Sequence, residues 1–315
     1  MSTNFSLDAP ATAQRLPYTA LSQSIAELLL DDSVQVPART VERLANGASL
    51  FVMPAHDRTL AITKLITFVA DNALRQLPSI QGDIVVFDVT TGQRLGLLDG
   101  PTVTARRTAA VSLLAAQRLA PNPDGPLLIV GAGVQGRAHL DAFREGLGIK
   151  AVKVASRSAA SADALVAHAR KQGLEAERVD NPDQALAECP LVVTCTSAQA
   201  VCMRGQPRPD AFIAAVGAFT PSMVEWAPDV CQTLAATGTV VVDTRDADHE
   251  AGDLLQAGLN VAALPTLADV VRSTSVWTHR VQRTGPLLFK SCGWAGWDLA
   301  AARCALQRLC LSPEL

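Results

Sequence analysis

The hydrophobic positions change period twice along the chain. Leu21 to Leu30 repeats at helical spacing, while Ser49 to Met53, Leu60 to Phe68, Ile84 to Asp88 and Arg94 to Leu98 alternate or run apolar over strand lengths. Thr90-Thr91-Gly92 between the last two predicts a hairpin turn. Thr102 to Leu119 predicts a long amphipathic helix, and Pro121-Asn122-Pro123-Asp124-Gly125-Pro126 then breaks the pattern. Beyond that break, apolar runs near 127–131, 151–156, 175–179, 191–196, 212–217 and 239–243 alternate with helical stretches, which predicts a mainly parallel sheet. The pattern shifts again at Phe289, and Trp297 to Leu311 predicts a terminal helix that packs back on the first domain. The expected fold is therefore α/β. A doubly wound, Rossmann-type parallel sheet occupies 123–288, and 1–122 with 289–315 form an α+β domain.

The junction of the first parallel strand and its helix carries a motif. Leu127-Leu128-Ile129-Val130 runs into Gly131-Ala132-Gly133-Val134-Gln135-Gly136, with a helical pattern behind it. Strand, G-x-G-x-x-G turn and helix N-terminus stand in the order that a dinucleotide site requires. Gly131 allows the tight turn, Gly133 lets the backbone approach a pyrophosphate, and Gly136 allows helix and strand to pack closely. The free N–H groups of the new helix then face the phosphates. A second strand returns as Ala151-Val152-Lys153-Val154-Ala155 and ends in Ser156-Arg157-Ser158. An NAD site usually carries Asp or Glu at this strand end to bind the ribose hydroxyls. With Arg157 and two hydroxyls instead, a 2′-phosphate finds partners, so NADPH is expected, with NADH as the alternative. The competing reading makes Arg157 a solvated loop residue and gives the ribose to Asp163.

Composition narrows the class. The chain has 315 residues, 49% of them hydrophobic, with a formal net charge of −3. Its apolar runs are all far shorter than a membrane span, which excludes a membrane partner. No basic stripe or aromatic stacking surface exists, so nucleic acid is excluded as well. Met1 to Leu16 lacks a basic-then-apolar leader pattern, and the seven cysteines form no C-x-x-C, so a cytoplasmic protein with reduced thiols is expected. The five histidines have no ligand spacing, and no metal is expected.

Several residues are candidates for chemistry. Lys64 lies inside the otherwise apolar or alternating run Leu60 to Phe68; it either faces solvent or lies buried with a lowered pKa. Arg39 follows Val36-Pro37-Ala38, and Arg106-Arg107 opens the long helix. Converging arginines can clamp a carboxylate, although each alone is usually a surface residue. Thr194-Cys195-Thr196-Ser197 and Val216-Gly217-Ala218 end strands of the parallel sheet, where ligands bind. Thr196, Ser197, Val216 and Gly217 suit a ribose and nicotinamide, but Thr and Ser also simply terminate strands.

Taken in order along the chain, these pieces resemble the ornithine cyclodeaminase and mu-crystallin family over nearly the full length. The matching stretches are Pro37-Ala38-Arg39; Lys64 in its strand; Leu77 to Gly82; Leu98-Asp99-Gly100 on to Ala110; the glycine turn with His139; Asp243 with Glu250 to Asp253; and Phe289 to Gly293 with Asp298-Leu299. The resemblance implies that Arg39, Lys64 and Arg107 hold the substrate carboxylate, which replaces the solvated reading of Lys64. It implies that Ser79 stands where some members place a pocket threonine. It also implies a homodimer built through the sheet of the first domain, which is then the substrate-binding and dimerisation domain.

One departure bears on the activity. Ornithine cyclodeaminases carry an aspartate after the glycine that ends the fifth strand, where it binds the distal amine. Here that position is Ala218, and Glu225 lies seven residues on. A methyl group can neither pair with an ammonium nor move a proton. The Ala218-Phe219 wall resembles the branch that reduces cyclic ketimines such as Δ1-pyrroline-2-carboxylate or Δ1-piperideine-2-carboxylate. The expected activity is NAD(P)H-dependent reduction of such a cyclic imino acid to proline or pipecolate. Ornithine cyclodeamination, amination of an open-chain oxo acid, and non-enzymatic NADP-dependent ligand binding stand as alternatives.

Overall fold

The computed structural model describes residues 4–75, 77–197, 200–273, 277 and 285–310. The chain divides into two compact units, Met1–Thr108 with Trp294–Leu315, and Ala109–Gly293.

The first unit is built on a six-stranded sheet. Its strands are β1 (Phe5–Leu7), β2 (Thr40–Arg43), β3 (Ser49–His56), β4 (Leu60–Phe68), β5 (Ile80–Asp88) and β6 (Arg94–Asp99), in the order β1-β6-β5-β4-β3-β2. β1 runs parallel to β6, and the other pairs are antiparallel. Period-two alternation divides β4 between two environments. Leu60, Ile62, Lys64 and Ile66 are buried, whereas Leu65 is 46% exposed. Two helices, α2 (Tyr18–Leu29) and the C-terminal Ala295–Cys310, pack on one another, and the terminal helix also packs on β3 and β4. Ala300, Ala301 and Ala302 allow the close approach, and Ser24 Oγ donates to the Ala300 carbonyl at 2.9 Å.

The sequence reading missed three elements here. β1 has only three residues, and every residue of β2 is exposed, so neither shows alternation. Helix α1 (Ala9–Arg15) starts at a cap, with the Asp8 side chain accepting from Ala11 N. β5 also begins four residues before the expected Ile84, since Gly82 (φ +130°) and Asp83 hide its apolar pattern.

The second unit holds a seven-stranded, wholly parallel sheet. Its strands are β7 (Leu127–Val130), β8 (Ala151–Ala155), β9 (Glu175–Arg178), β10 (Leu191–Thr194), β11 (Phe212–Ala215), β12 (Thr239–Val242) and β13 (Leu287–Lys290), ordered β12-β13-β11-β10-β7-β8-β9. The central strands β7, β10, β11 and β13 are buried along their whole length, as a sheet covered on both faces requires. The order reverses between β7 and β10, so the topological switch point lies beyond their C-terminal ends, at Gly131 and Cys195.

The unit limits differ from those read in the sequence. β13 inserts between β11 and β12, so Phe289 and Lys290 belong to this sheet and not to the returning segment. At the other end, helix α3 (Gly100–Leu119) runs unbroken across the limit at residue 108. Its second half packs within the second unit, where the Leu113 side chain fills the space a Cβ on Gly146 would need. The Pro-rich break at 121–126 therefore lies inside that unit. The terminal helix matches expectation apart from Leu311, which lies outside the described residues. Among the described residues, no helix is long and apolar enough to cross a membrane.

Candidate functional site

In the first unit the site grows from the middle of β4. Lys64 stands on the buried side of this strand, in register with Met53 of β3 and Ile84 of β5, and is 1% exposed. An ammonium cannot stay in such a setting without a counter-charge. The terminal helix supplies it: Asp298, wholly buried, places Oδ2 2.8 Å from Lys64 Nζ. The same carboxylate lies 3.3 Å from Nε of Arg107, which is also buried. The short Lys64–Asp298 approach and the proximity of the Arg107 charge hold the trio together. Burial pulls the Lys64 pKa down to about 8; Asp298 opposes the fall, while the positive charges of Arg107 and Arg39 add to it.

The structure thus gathers three residues proposed from the sequence around an acid to which no role had been given. Arg39 is partly buried just before β2 and acts on Lys64 through its charge. It also separates the two arginines of α3. Arg106 donates from Nε to the Leu16 carbonyl at 2.6 Å and lies 3.9 Å over the Tyr18 ring, a packing role. Ser79 is partly exposed just before β5, and its carbonyl accepts from Val69 N at 2.8 Å. Asp298 had a signal of its own: one carboxylate inside the buried run Trp297 to Ala302 demands a buried cation.

In the second unit the glycine turn has the shape that a dinucleotide needs. Gly131 has φ +114°, and a Cβ there would strike the Cys195 carbonyl. A Cβ on Gly136 would strike the Gly131 carbonyl, whereas one on Gly133 would find open space. Helix α4 (Val134–Leu147) starts at Gly133 without a side-chain cap, leaving its first N–H groups for a ligand. Ala132 is half-buried beside it, Val134 is 72% exposed, and the Gln135 carbonyl accepts a hydrogen bond from His139 Nδ1 at 2.8 Å. The Ser112 hydroxyl donates to His139 Nε2 at 3.0 Å, and burial lowers the pKa of this imidazole to about 4.

At the end of β8, Ser156 is half-buried and Arg157 and Ser158 are exposed. The Ser158 hydroxyl accepts from Ser161 N as the cap of helix α5 (Ala159–Lys171). Asp163, the other candidate for the ribose, pairs with Arg178 of β9 at 3.3 Å.

A second buried network ties the strand ends together. Glu225, wholly buried, accepts from Thr196 N (2.7 Å), Thr196 Oγ1 (2.9 Å), Thr194 Oγ1 (2.9 Å) and Gly217 N (2.8 Å). Its carboxylate is thereby taken up in holding Thr196 and Gly217, two of the proposed cofactor contacts. Ser197 is exposed and Val216 buried beside them. Asp253 accepts from Glu225 N and Trp226 N and pairs with Lys290 at 2.8 Å. Asp243 accepts from Ser291 Oγ, Cys292 N and Gly293 N. Ala218 has no exposed surface, and its neighbour Phe219 is 41% exposed. Among the described residues, no group of three or more His, Cys, Asp or Glu could hold a metal ion.

Residues 18–310 match the sequence profile of the ornithine cyclodeaminase/mu-crystallin family. The chain belongs to that family. Its relatives within the family include Δ1-pyrroline-2-carboxylate reductase 1 of Burkholderia multivorans, 37% identical over 305 residues that cover 96% of this chain and 95% of the relative. Ketimine reductase mu-crystallin of Mus musculus is 33% identical over 278 residues, covering 87% of this chain and 85% of the relative. The fold of the family member is shared with Thermococcus litoralis Δ1-pyrroline-2-carboxylate reductase, solved with NADH and L-proline. That likeness has a TM-score of 0.88 at 24% identity and covers 97% of each chain.

Proposed function

We propose that this protein reduces cyclic 2-imino acids, Δ1-pyrroline-2-carboxylate and Δ1-piperideine-2-carboxylate, to proline and pipecolate. The observation that carries the reading is the buried Lys64–Asp298–Arg107 trio. One acid faces two cations there, Lys64 and Arg107, so positive charge is left over for a substrate carboxylate. Relatives that are named reductases of cyclic imines support the same conclusion.

Each residue then has a defined task. Arg107 and Arg39 bind the carboxylate, which fixes the ring and the face it presents. Lys64, with a pKa near 8, carries its proton at neutral pH and supplies it to the imine nitrogen. A protonated imine accepts hydride far more readily than a neutral one. The bound nicotinamide supplies that hydride. Gly131, Gly133, Gly136 and the uncapped start of α4 hold its pyrophosphate, and Thr196 and Gly217, held by Glu225, offer a fixed edge. We assign NADPH as the preferred cofactor, because β8 ends in Ser156-Arg157-Ser158 without a carboxylate and Asp163 is engaged by Arg178.

Ala218 argues against ornithine cyclodeamination, because this wholly buried methyl group stands where that activity would need a carboxylate, and it can neither pair with an ammonium nor move a proton. A homodimer through the sheet of the first unit fits the half-exposed apolar positions of one face, Val52, Leu65 and Val85. A cytoplasmic setting fits the six described free cysteines. The test is oxidation of NADPH and NADH with each imine in the absence of ammonia. Turnover with either ring and none with ornithine is expected. Ammonia release from ornithine at a comparable rate would restore the cyclodeaminase reading.

A further inference from the structure

We propose that Asp298 is a positioning residue of the substrate site, which holds Lys64 in its ammonium form and fixes the Arg107 guanidinium with the same carboxylate. The inference rests on the imine-reductase reading above. It starts from the geometry of the acid. Asp298 is wholly buried on the terminal helix, 2.8 Å from Lys64 Nζ and 3.3 Å from Arg107 Nε.

Acids that only fasten this fold look different. Asp57 accepts from Thr59 N and Leu60 N, Asp253 from Glu225 N and Trp226 N, and Asp243 from Cys292 N and Gly293 N. Each is anchored by backbone donors. Asp298 draws its stabilisation from two side-chain cations instead, and both belong to the proposed carboxylate clamp. Removal of its charge would therefore leave Lys64 with the like charges of Arg107 and Arg39 beside it.

The charged groups that act on Lys64 come from three directions. Asp298 approaches from the terminal helix, Arg107 from α3 and Arg39 from the segment before β2, while β3 and β5 present Met53 and Ile84 on either side in register. Asp298 exerts the largest effect among the charged groups that act on this lysine. Its loss must favour the neutral amine.

The experiment is the pH dependence of kcat/KM for Δ1-pyrroline-2-carboxylate in the wild type, Asp298→Asn and Asp298→Glu, with the Lys64 titration followed by [13Cε]lysine NMR in the same proteins. Lys64→Arg assigns the resonance by its disappearance. In Asp298→Asn the basic limb should move down by about one pH unit or more, roughly a tenfold loss at pH 8 beyond any uniform loss. The substrate's own titration is common to all variants and cancels in the ratio. Asp298→Glu keeps the charge, so its limb should stay near that of the wild type while KM rises, and this variant decides the matter if Asp298→Asn does not fold. A profile lowered by the same factor at every pH in Asp298→Asn, or an equal displacement of the limb in Asp298→Glu, would overturn the proposal. Should the wild type reduce neither imine, the functional reading falls, yet the NMR titration still decides the role of Asp298. A Lys64 pKa that drops in Asp298→Asn supports that role, and one that does not move overturns it.

Discussion

Lys64 and Lys290 each place Nζ 2.8 Å from an aspartate oxygen, and neither is more than 1% exposed. The two lysines nevertheless move in opposite directions. Burial pulls both down, but Lys64 falls to about 8, whereas Asp253, with Cys292 and Glu225 in support, holds Lys290 above the ordinary lysine range. The difference lies in the neighbours. Lys64 shares its acid with Arg107 and feels Arg39; Lys290 has its own acid, and that acid is also bound by two backbone N–H groups. An ion pair of one length thus serves as a clamp for strand ends in one unit and as an ionisable, cation-rich site in the other. The company of the pair decides which.

That contrast makes separable predictions. Lys64→Met should lower kcat/KM for a cyclic imine by about 10²–10⁴-fold, the usual worth of a positioned proton donor. The fold should persist, because Asp298 keeps Arg107 as a partner, and a thermal melt checks this. Lys290→Met should do the reverse. It strands a buried Asp253 and should cost about 3–5 kcal/mol in a denaturant titration, with turnover per folded molecule little changed. If Lys290→Met abolishes turnover without loss of stability, the contrast between the two lysines is false.

Much of this was legible in the sequence, and the gaps have physical causes. The glycine turn and the alternation of strand and helix showed in local pattern, since buried parallel strands are continuously apolar. Strand β13 did not, because Leu287–Lys290 ends in a lysine and a four-residue run carries little period. Its place between β11 and β12 is a tertiary fact. Lys64, Arg39 and Arg107 could be named from the family resemblance, but from pattern alone each reads as solvated. What no local pattern contains is the meeting of residues 64, 107 and 298, which depends on how the terminal helix packs on β4. Glu225 shows the same limit: its sequence position gives only its distance from Ala218, whereas the fold buries it and binds it to Thr194, Thr196 and Gly217.

A third buried ionisable group sharpens the comparison, since it has no counter-charge at all. His139 is held neutral between Gln135 and Ser112, with its pKa lowered to about 4. The unfolded chain, titrating near the ordinary histidine value, takes up that proton first as the pH falls. Stability should thus be complete above about pH 6.5 and decline by about 3 kcal/mol towards pH 4. His139→Gln should flatten this part of the curve in urea titrations across that range. The smallest effect belongs to an exposed group: Arg157→Ala should weaken NADPH by about 1–3 kcal/mol and leave NADH nearly unchanged. Equal losses for both cofactors in equilibrium titration would show that Arg157 reads no 2′-phosphate.

The central claim is that the Lys64 site presents a cyclic imine for reduction at its C=N carbon. Turnover of Δ1-pyrroline-2-carboxylate with NADPH deuterated at both C4 positions, followed by NMR of the product, tests it directly. One deuterium should appear at the α-carbon of proline, with no ammonia required or released. Proline without deuterium at that carbon, or label transfer seen only when ornithine is supplied and ammonia evolves, would contradict the account.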